Sequence, residues 1–196
     1  MRCLRFFAFG CLFFTISRAF AYESERSVII SVPDQRLAVL ENGTTIAAYP
    51  VSTSRYGLGD RSGSYATPVG ELEVAQKIGD GAPVGAVFKN RHFTGEVLRP
   101  NAKGRDPIVT RILWLRGMES CNSNAFGRNI YIHGTPVERQ IGRPASYGCI
   151  RMRSRDVVQV FNMLHSGAKV AVVNTRLHQA LVQRAAANSG RLAAAH

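Results

Sequence analysis

One cysteine of this chain stands where a thiol is available for chemistry. Cys149 lies in residues 141–152, an IGRPASYGCIRM segment in which Gly142, Pro144 and Gly148 are typical of a tight, irregular loop. Because connecting segments run over the protein surface, we expect Cys149 on an exposed connection and not deep in a strand. A cysteine in that position is a candidate nucleophile.

A histidine lies sixteen positions before this cysteine. His133 follows residues 129–132 (NIYI), a β-prone run that would hold the imidazole on a strand edge. Thiols are mostly protonated at neutral pH, and a neighbouring imidazole is the usual means of generating the thiolate. The pair therefore predicts nucleophilic catalysis by Cys149 with His133 as the base. The alternative from the same residues is a buried structural cysteine and a core histidine, both of which are common.

The segments around these two residues resemble the signature of the YkuD-type L,D-transpeptidases of bacterial cell walls. Residues 132–136 (IHGTP) match its His-Gly half. Residues 141–152 match the half that in the family reads Ser/Thr-His-Gly-Cys, an apolar residue, and Asn or Arg. Tyr147 departs from the pattern, because it stands where the family usually has its second histidine. The resemblance covers roughly residues 27–175.

The resemblance implies a mostly β catalytic domain over residues 27–175. Its expected form is an antiparallel β-sandwich or partly closed barrel, with one short helix after the Cys149 loop. The implied reaction is acyl transfer, in which Cys149 attacks the carbonyl of a meso-diaminopimelate residue in a peptidoglycan stem peptide. His133 takes the thiol proton, a thioester forms, and a second stem-peptide amine resolves it. No cofactor is implied.

The resemblance also implies which backbone groups assist this reaction. The carbonyl of Gly134, directly after the histidine, orients the imidazole, so that no aspartate is required. The backbone N–H groups of Tyr147, Gly148 and Cys149 are the expected oxyanion donors.

Four residues near the cysteine are candidate substrate contacts. Arg151 and Arg143 flank Cys149, and one or both are expected to hold a stem-peptide carboxylate. The alternative is a structural salt bridge, or hydrogen bonds to loop carbonyls. Tyr147 cannot act as a base near neutral pH, since a tyrosine has an unperturbed pKa of about 10, so we expect it to shape the substrate pocket together with Ser146. In this interpretation the Tyr147 departure marks a divergent subclass with an altered cross-link or donor.

Other functions remain alternatives to cross-linking. A carboxypeptidase or endopeptidase on the same scaffold would cut peptidoglycan peptides instead of joining them. An inactive domain would only bind peptidoglycan, although the presence of both Cys149 and His133 argues against it. A sortase needs a larger separation between its histidine and cysteine, and a papain-like peptidase has the two in the reverse order.

The beginning of the chain has the pattern of a secretory signal peptide. Arg2 and Arg5 precede an apolar run at 6–16, and an AFA triplet gives a small-x-small cleavage pattern. The run is too short for a transmembrane helix, which needs about 20 apolar residues. We therefore expect residues 1–21 to be removed and the protein to be exported to the periplasm or cell envelope.

Removal of this segment takes away two of the four cysteines. Cys11 would be the lipid acceptor if the segment belonged to a lipoprotein, but the residues before it are a poor match. Cys3 and Cys11 are both lost with the signal segment, which leaves Cys121 and Cys149. In an oxidising compartment these two invite a disulfide, which would prevent catalysis. We favour a free Cys149, because its loop context and the upstream His133 argue for an activated thiolate.

The chain is strongly basic. It has 25 Lys and Arg against 13 Asp and Glu, a net charge of +12. Three of the basic residues lie in the first 21 positions, so the remainder carries +9. This charge suits an anionic envelope polymer or a membrane surface, or it is only a solvated arginine-rich surface. The partners that the resemblance implies are peptidoglycan stem peptides, and an envelope protein is a further acceptor that we consider. Export and the absence of recognition motifs argue against nucleic acid, and no cluster at ligand spacing predicts a metal.

Local patterns predict a single β-rich domain with one helix. The Asn42-Gly43 pair predicts a tight hairpin. The segment 53–66 is expected to be a loop. The segment 79–107 is expected to form a partly ordered flap over the sheet, or only a surface excursion. The segment 176–196 is expected to be a loose terminal helix or a disordered tail. The predicted strands are 27–32, 36–41, 44–52, 71–78, 108–115 and 169–174, and the predicted helix begins at an N-cap Ser154 and ends before Gly167.

Overall fold

The computed structural model describes residues 25–194, and side chains over 25–190. The predicted signal peptide at 1–21 lies outside the described residues, so export stays a prediction. Within residues 25–194, neither helix has the length and apolar character needed to cross a membrane.

The described part of the chain forms ten strands and two α-helices, which confirms the prediction of a mostly β fold. Two short 3-10 helices, Ser120–Asn122 and Glu138–Gln140, lie in its loops. The elements are β1 (Arg26–Ser31), β2 (Arg36–Glu41), β3 (Thr44–Pro50), β4 (Gly70–Ile78), β5 (Ala86–Lys89), β6 (His92–Val97), β7 (Ile108–Gly117), β8 (Tyr131–Gly134), β9 (Ile150–Met152), α1 (Ser154–Met163), β10 (Lys169–Val173) and α2 (Leu177–Ala194).

All ten strands belong to one mixed sheet. Its main path runs β3-β2-β1-β10-β4-β7-β5-β6, and β8 branches from β7 to pair with β9. Most pairings are antiparallel, but β1 with β10 and β8 with β9 are parallel. A single bridge between Ser52 and Arg151 brings the segment after β3 to β9. The sheet nevertheless does not close, so the expected β-sandwich or partly closed barrel takes the form of one open sheet in the structure.

The predicted hairpin between β2 and β3 is present. Asn42 and Gly43 have φ values of 50° and 84°. Positive φ at both central residues is what a type I′ turn requires, and this turn matches the twist of the strands that it joins.

The main core lies between the sheet and α1. Val157, Val160, Phe161 and Leu164 of this helix region are buried against apolar residues of the sheet. The helix starts at Ser154, but the prediction that Ser154 caps it was wrong. Arg153 occupies the N-cap position without a side-chain cap, and the Ser154 hydroxyl instead accepts a hydrogen bond from Thr110 Oγ1 at 2.8 Å.

The stretch expected to be a loose helix or a disordered tail forms α2 and packs on the sheet. Leu177, Ala180 and Leu181 lie against a small cluster that includes Ile29 and Leu40. The helix therefore covers the face of β1 and β2 opposite the main core.

The predicted flap at 79–107 is mostly ordered. The hairpin of β5 and β6 extends the sheet beyond β7. The loop 98–107 then turns back towards the segment after β8, where the Asn101 N–H donates to the Pro136 carbonyl at 2.5 Å. The flap thus reaches the chain immediately downstream of His133.

Candidate active site

The parallel pairing of β8 with β9 places the predicted base on the strand next to the one that follows the predicted nucleophile. In its register Ile132 lies opposite Ile150, and His133 lies opposite Arg151. Successive side chains of a strand point to opposite faces. Ile132 and Ile150 enter the main core, so His133 and Arg151 share the other face. Cys149, one residue before β9, belongs to that same face.

The thiol of Cys149 lies in a half-buried, largely apolar setting. Sγ is 3.4 Å from the carbonyl oxygen of Asn129. Burial raises the pKa of the Cys149 thiol to about 11, although the nearby guanidinium groups of Arg128 and Arg151 act in the opposite direction. The thiol is therefore protonated at neutral pH. Cys149 packs against a cluster of buried residues formed by Ala86, Phe88, Ile112 and Tyr131.

The imidazole of His133 is buried and held by the backbone. Its Nδ1 is 2.8 Å from the carbonyl oxygen of Gly134. A carbonyl oxygen only accepts hydrogen bonds, so Nδ1 carries the proton and Nε2 keeps its lone pair. The pKa of His133 is lowered to about 4, mainly by burial and also by Arg151, while the hydrogen bond to Gly134 and the Asp106 carboxylate act in the opposite direction. The imidazole is neutral at pH 7 and available as a base.

The Gly134 carbonyl is placed by a close approach of β7. A Cβ on Gly134 would lie 2.6 Å from the Val109 carbonyl oxygen and 3.1 Å from Thr110 Cβ. Pairing of β7 with β8 is irregular between Val109 and Ile112, and Thr110 there has a φ of 75°, which is rare for a β-branched residue. Such bulges occur next to active sites, where they redirect the chain.

The hydroxyl of Ser146 makes two hydrogen bonds within the cysteine loop. Ser146 is buried, its Oγ donates to the Cys149 carbonyl at 2.6 Å, and it accepts the Gly148 N–H at 3.2 Å. Its own N–H donates to the Thr53 carbonyl at 3.0 Å. The structure therefore places this predicted substrate contact inside the loop, where its polar atoms already have partners.

The predicted oxyanion donors are backbone N–H groups at the bend around Gly148. Gly148 has a φ of 117°, and a Cβ there would lie 3.2 Å from the Ala66 carbonyl oxygen, so glycine is required. The Gly148 N–H is engaged by Ser146. Among the residues that the structure describes, the N–H groups of Tyr147 and Cys149 have no hydrogen-bond partner. These two are the donors available to an oxyanion.

The two predicted arginine contacts differ in their surroundings. Arg151 is buried, and its Nη1 donates to Asp106 Oδ2 at 2.6 Å. Its Nη2 donates to Gln140 Oε1 at 3.1 Å. Arg151 thus holds a carboxylate of the protein itself, which is the structural salt bridge considered from the sequence. Arg143 is exposed and has no ion pair within the described residues.

The ring of Tyr147 forms part of an exposed tyrosine cluster. Its centroid is 5.5 Å from that of Tyr56 and 5.6 Å from that of Tyr65, and each of the three residues is more than half exposed. The Arg55 guanidinium lies over the Tyr147 ring, 4.7 Å from its centroid. The sequence analysis did not identify Arg55, Tyr56 and Tyr65 as site residues. The sequence shows them only as one charged and two aromatic residues in a glycine-rich loop.

A second arginine missed from the sequence holds that loop in place. Arg128 is buried with Asp60, and its Nη1 lies 2.7 Å from Asp60 Oδ1. Its guanidinium also donates to the carbonyl oxygens of Gly59, Ser64 and Ala66. The loop 57–66 is thereby attached to the chain that leads into β8.

The cysteines and potential metal ligands give two further findings. Cys121 and Cys149 are both free, and Cys121 is exposed on the 3-10 helix Ser120–Asn122. Within the described residues, no three side chains of the His, Cys, Asp and Glu types come together in a way that would hold a metal ion.

The chain has recognisable relatives. It is similar to the probable L,D-transpeptidase YcfS of Escherichia coli (strain K12), with 26% identity over 154 residues, 76% of this chain and 44% of that protein. It is also similar to the L,D-transpeptidase homologue YqjB of Bacillus subtilis (strain 168), with 26% identity over 147 residues, 75% of this chain and 70% of that protein. The chain thus spans less than half of the E. coli protein.

A solved L,D-transpeptidase from Mycobacterium smegmatis aligns with 76% of this chain and 59% of its own, at a TM-score of 0.49 and 16% identity. The model of the YkuD family, described as the L,D-transpeptidase catalytic domain, matches residues 25–172. That match includes the β8 histidine, the cysteine loop and the strands that hold them, and the chain therefore belongs to the YkuD family of L,D-transpeptidase catalytic domains.

Proposed function

We propose that this protein is an exported cysteine L,D-transpeptidase that joins peptidoglycan stem peptides through an acyl-enzyme at Cys149. The observation that carries the proposal is the 2.8 Å contact between His133 Nδ1 and the Gly134 carbonyl. It leaves Nε2 unprotonated on the face that β8 and β9 share with Cys149. Membership of the family supports the reaction class.

In the acylation step, Cys149 Sγ attacks the carbonyl carbon of a meso-diaminopimelate residue in the donor stem peptide. The thiol proton passes to His133 Nε2 as the S–C bond forms. The resulting imidazolium then protonates the leaving amine, the C–N bond breaks, and a thioester remains. The Nδ1 hydrogen bond to Gly134 holds the ring throughout.

The resting site favours a neutral pair over a thiolate and an imidazolium. The pKa of Cys149 is raised to about 11 and that of His133 is lowered to about 4, in each case mainly by burial. Proton transfer is therefore coupled to attack on the bound substrate. The charge then moves to the oxyanion, which the N–H groups of Tyr147 and Cys149 stabilise by about 3 kcal/mol per donor.

In the transfer step an amine of a second stem peptide attacks the thioester. Its proton passes to His133, the new C–N bond forms as the C–S bond breaks, and the imidazolium returns the proton to the departing sulfur, which restores the Cys149 thiol. An amine on an envelope protein is a chemically equivalent acceptor, whereas water as acceptor makes the protein a carboxypeptidase or endopeptidase.

Export is part of the proposal. The basic and apolar pattern of residues 1–21 and the +9 charge of the remaining chain support a place in the periplasm or cell envelope. Amino-terminal sequencing of the protein recovered from the envelope fraction tests this, and we expect the mature chain to begin at Tyr22. A chain that keeps its first 21 residues in the cytoplasm would contradict it.

Mass spectrometry of the mature protein incubated with purified peptidoglycan fragments tests the reaction. We expect a thioester adduct on Cys149 and a cross-linked product. Cys149→Ala should give neither, and Cys121→Ser should give both. Shortened peptides without cross-links would show hydrolysis instead, and unchanged fragments without an adduct would show that the domain only binds.

A further inference from the structure

The side chain of Arg55 is held beside the cysteine loop by two rings. Its guanidinium carbon lies 4.7 Å from the centroid of Tyr147 and 5.9 Å from that of Tyr56. Its Nη2 donates to the Ala145 carbonyl at 3.3 Å. Contacts of this kind orient a guanidinium without neutralising it. Arg55 is therefore positioned by two rings and a carbonyl oxygen, and none of these contacts is with a carboxylate.

A cavity of about 250 Å³ lies next to this arginine. Asp106 is the carboxylate among its charged lining residues, and it is already bonded to Arg151 Nη1 and to Thr135 Oγ1. Its lining also includes Arg55, Arg105, Arg139 and Tyr147.

The guanidinium groups of the cavity exceed the carboxylates available to them. Arg105 forms an ion pair with Glu96 on β6. Within the described residues, neither Arg55 nor Arg139 has an ion pair. Two uncompensated guanidinium groups therefore line one small cavity, which favours a planar anion that each can bind through two hydrogen bonds.

We propose that this cavity binds a carboxylate of the stem peptide through Arg55 and Arg139, and that Tyr147 is the residue that positions Arg55. The inference rests on the proposed function, which supplies a substrate that carries carboxylates. Tyr147 is only two residues from Cys149, so a carboxylate held here anchors the peptide close to the reacting carbonyl.

This assignment replaces the one expected for Arg151. That arginine is buried, and its shortest hydrogen bond is already made to Asp106. The assignment also gives a physical role to the Tyr147 departure, because the face of a phenol ring attracts a guanidinium, whereas an imidazole that gains a proton repels it.

The carboxylate can belong to the donor or to the acceptor peptide, and two measurements separate these sources. Acyl-enzyme formation with donor alone, followed by mass spectrometry, reports the donor. Transfer from a preformed acyl-enzyme to an added amine reports the acceptor. Each is run with a peptide whose carboxylates are free and with its carboxamide analogue.

We expect Arg55→Gln and Arg139→Gln to slow one of these steps about tenfold for the free carboxylate peptide and to leave the carboxamide analogue nearly unchanged. Tyr147→Ser should reproduce the effect of Arg55→Gln, whereas Tyr147→Phe, which keeps the ring, should not. Arg61→Gln is the matched control, since Arg61 is an exposed arginine of the same loop that does not line the cavity. Equal rates for both peptides in every variant and both steps would overturn the inference.

A binding measurement separates this inference from the proposed function. Calorimetric titration of the stem peptide into Cys149→Ala requires no turnover. Weaker binding after Arg55→Gln is added to that variant would support the carboxylate site even if the native protein forms no acyl-enzyme. Unchanged binding, with an active native enzyme, would reject the site and leave the transpeptidase proposal intact.

Discussion

Arg151 on β9 donates from Nη1 to Asp106 Oδ2 at 2.6 Å, across 45 positions of sequence. The arginine is buried, whereas the side chain of Asp106 is 32% exposed. The contact attaches the loop 98–107 to the strand that follows Cys149. The same ion pair lies close enough to His133 to influence its pKa, so the loop 98–107 affects the electrostatic environment of this residue on β8.

Loss of the Asp106 charge should destabilise the protein. Asp106→Asn leaves a buried guanidinium without its carboxylate, and we expect the free energy of unfolding to fall by about 2 kcal/mol, below the full cost of breaking a buried pair because Asp106 is partly exposed. Urea denaturation measures this. Glu96→Gln, which breaks the exposed pair with Arg105, is the control and should cost under about 1 kcal/mol. Equal losses in the two variants would contradict the structural role of the Arg151 pair.

The pair of Arg128 and Asp60 should be more costly to break. Both side chains are buried, and Asp60 also accepts the Asn124 N–H at 2.6 Å. We expect Asp60→Asn to reduce the free energy of unfolding by about 3 kcal/mol. Hydrogen exchange should then speed up in residues 57–66 and much less in β4. Uniform exchange throughout the domain would show that the pair does not specifically hold this loop.

Burial of a neutral His133 should make stability depend on pH. Its pKa is about 4 in the folded protein against an ordinary value of 6.5, so the unfolded chain binds more protons between these values. The stability that comes from burying neutral His133 is fully present above about pH 6.5 and is lost as the pH falls towards 4. The free energy of unfolding should fall by on the order of 3 kcal/mol over this range. Denaturation curves at several pH values should show a flatter dependence for His133→Asn. His165 is exposed, so His165→Asn is the control. If this variant flattens the pH dependence as much as His133→Asn does, the dependence does not arise from His133.

The raised pKa of Cys149 should be visible in its alkylation. With a pKa of about 11, only about one thiol in a thousand is ionised at pH 8 in the substrate-free protein. In a Cys121→Ser background, we expect the rate of reaction with iodoacetamide to rise about tenfold per pH unit between pH 8 and 10. A rate that is already constant above pH 7 would show a preformed thiolate, and the neutral resting pair would then be wrong.

The local features of this protein followed from its sequence alone. The Asn42-Gly43 hairpin, the alternating strands and the helix that begins at Ser154 depend on short-range dihedral preferences and on hydrophobic periodicity, both of which can be read within a few residues. The candidate nucleophile and base were also recognisable, because Cys149 and His133 lie in short motifs whose residue types carry the chemistry.

Only the tertiary structure decided which side chains surround that pair. Arg151 was predicted to bind substrate, but folding brings Asp106 to it from a distant loop, and Arg55 reaches the ring of Tyr147 in the same way. Packing of α2 against the sheet was likewise not visible in its weak pattern. Contacts between residues far apart in sequence depend on how loops close over the sheet, and composition and periodicity describe only what neighbouring residues do.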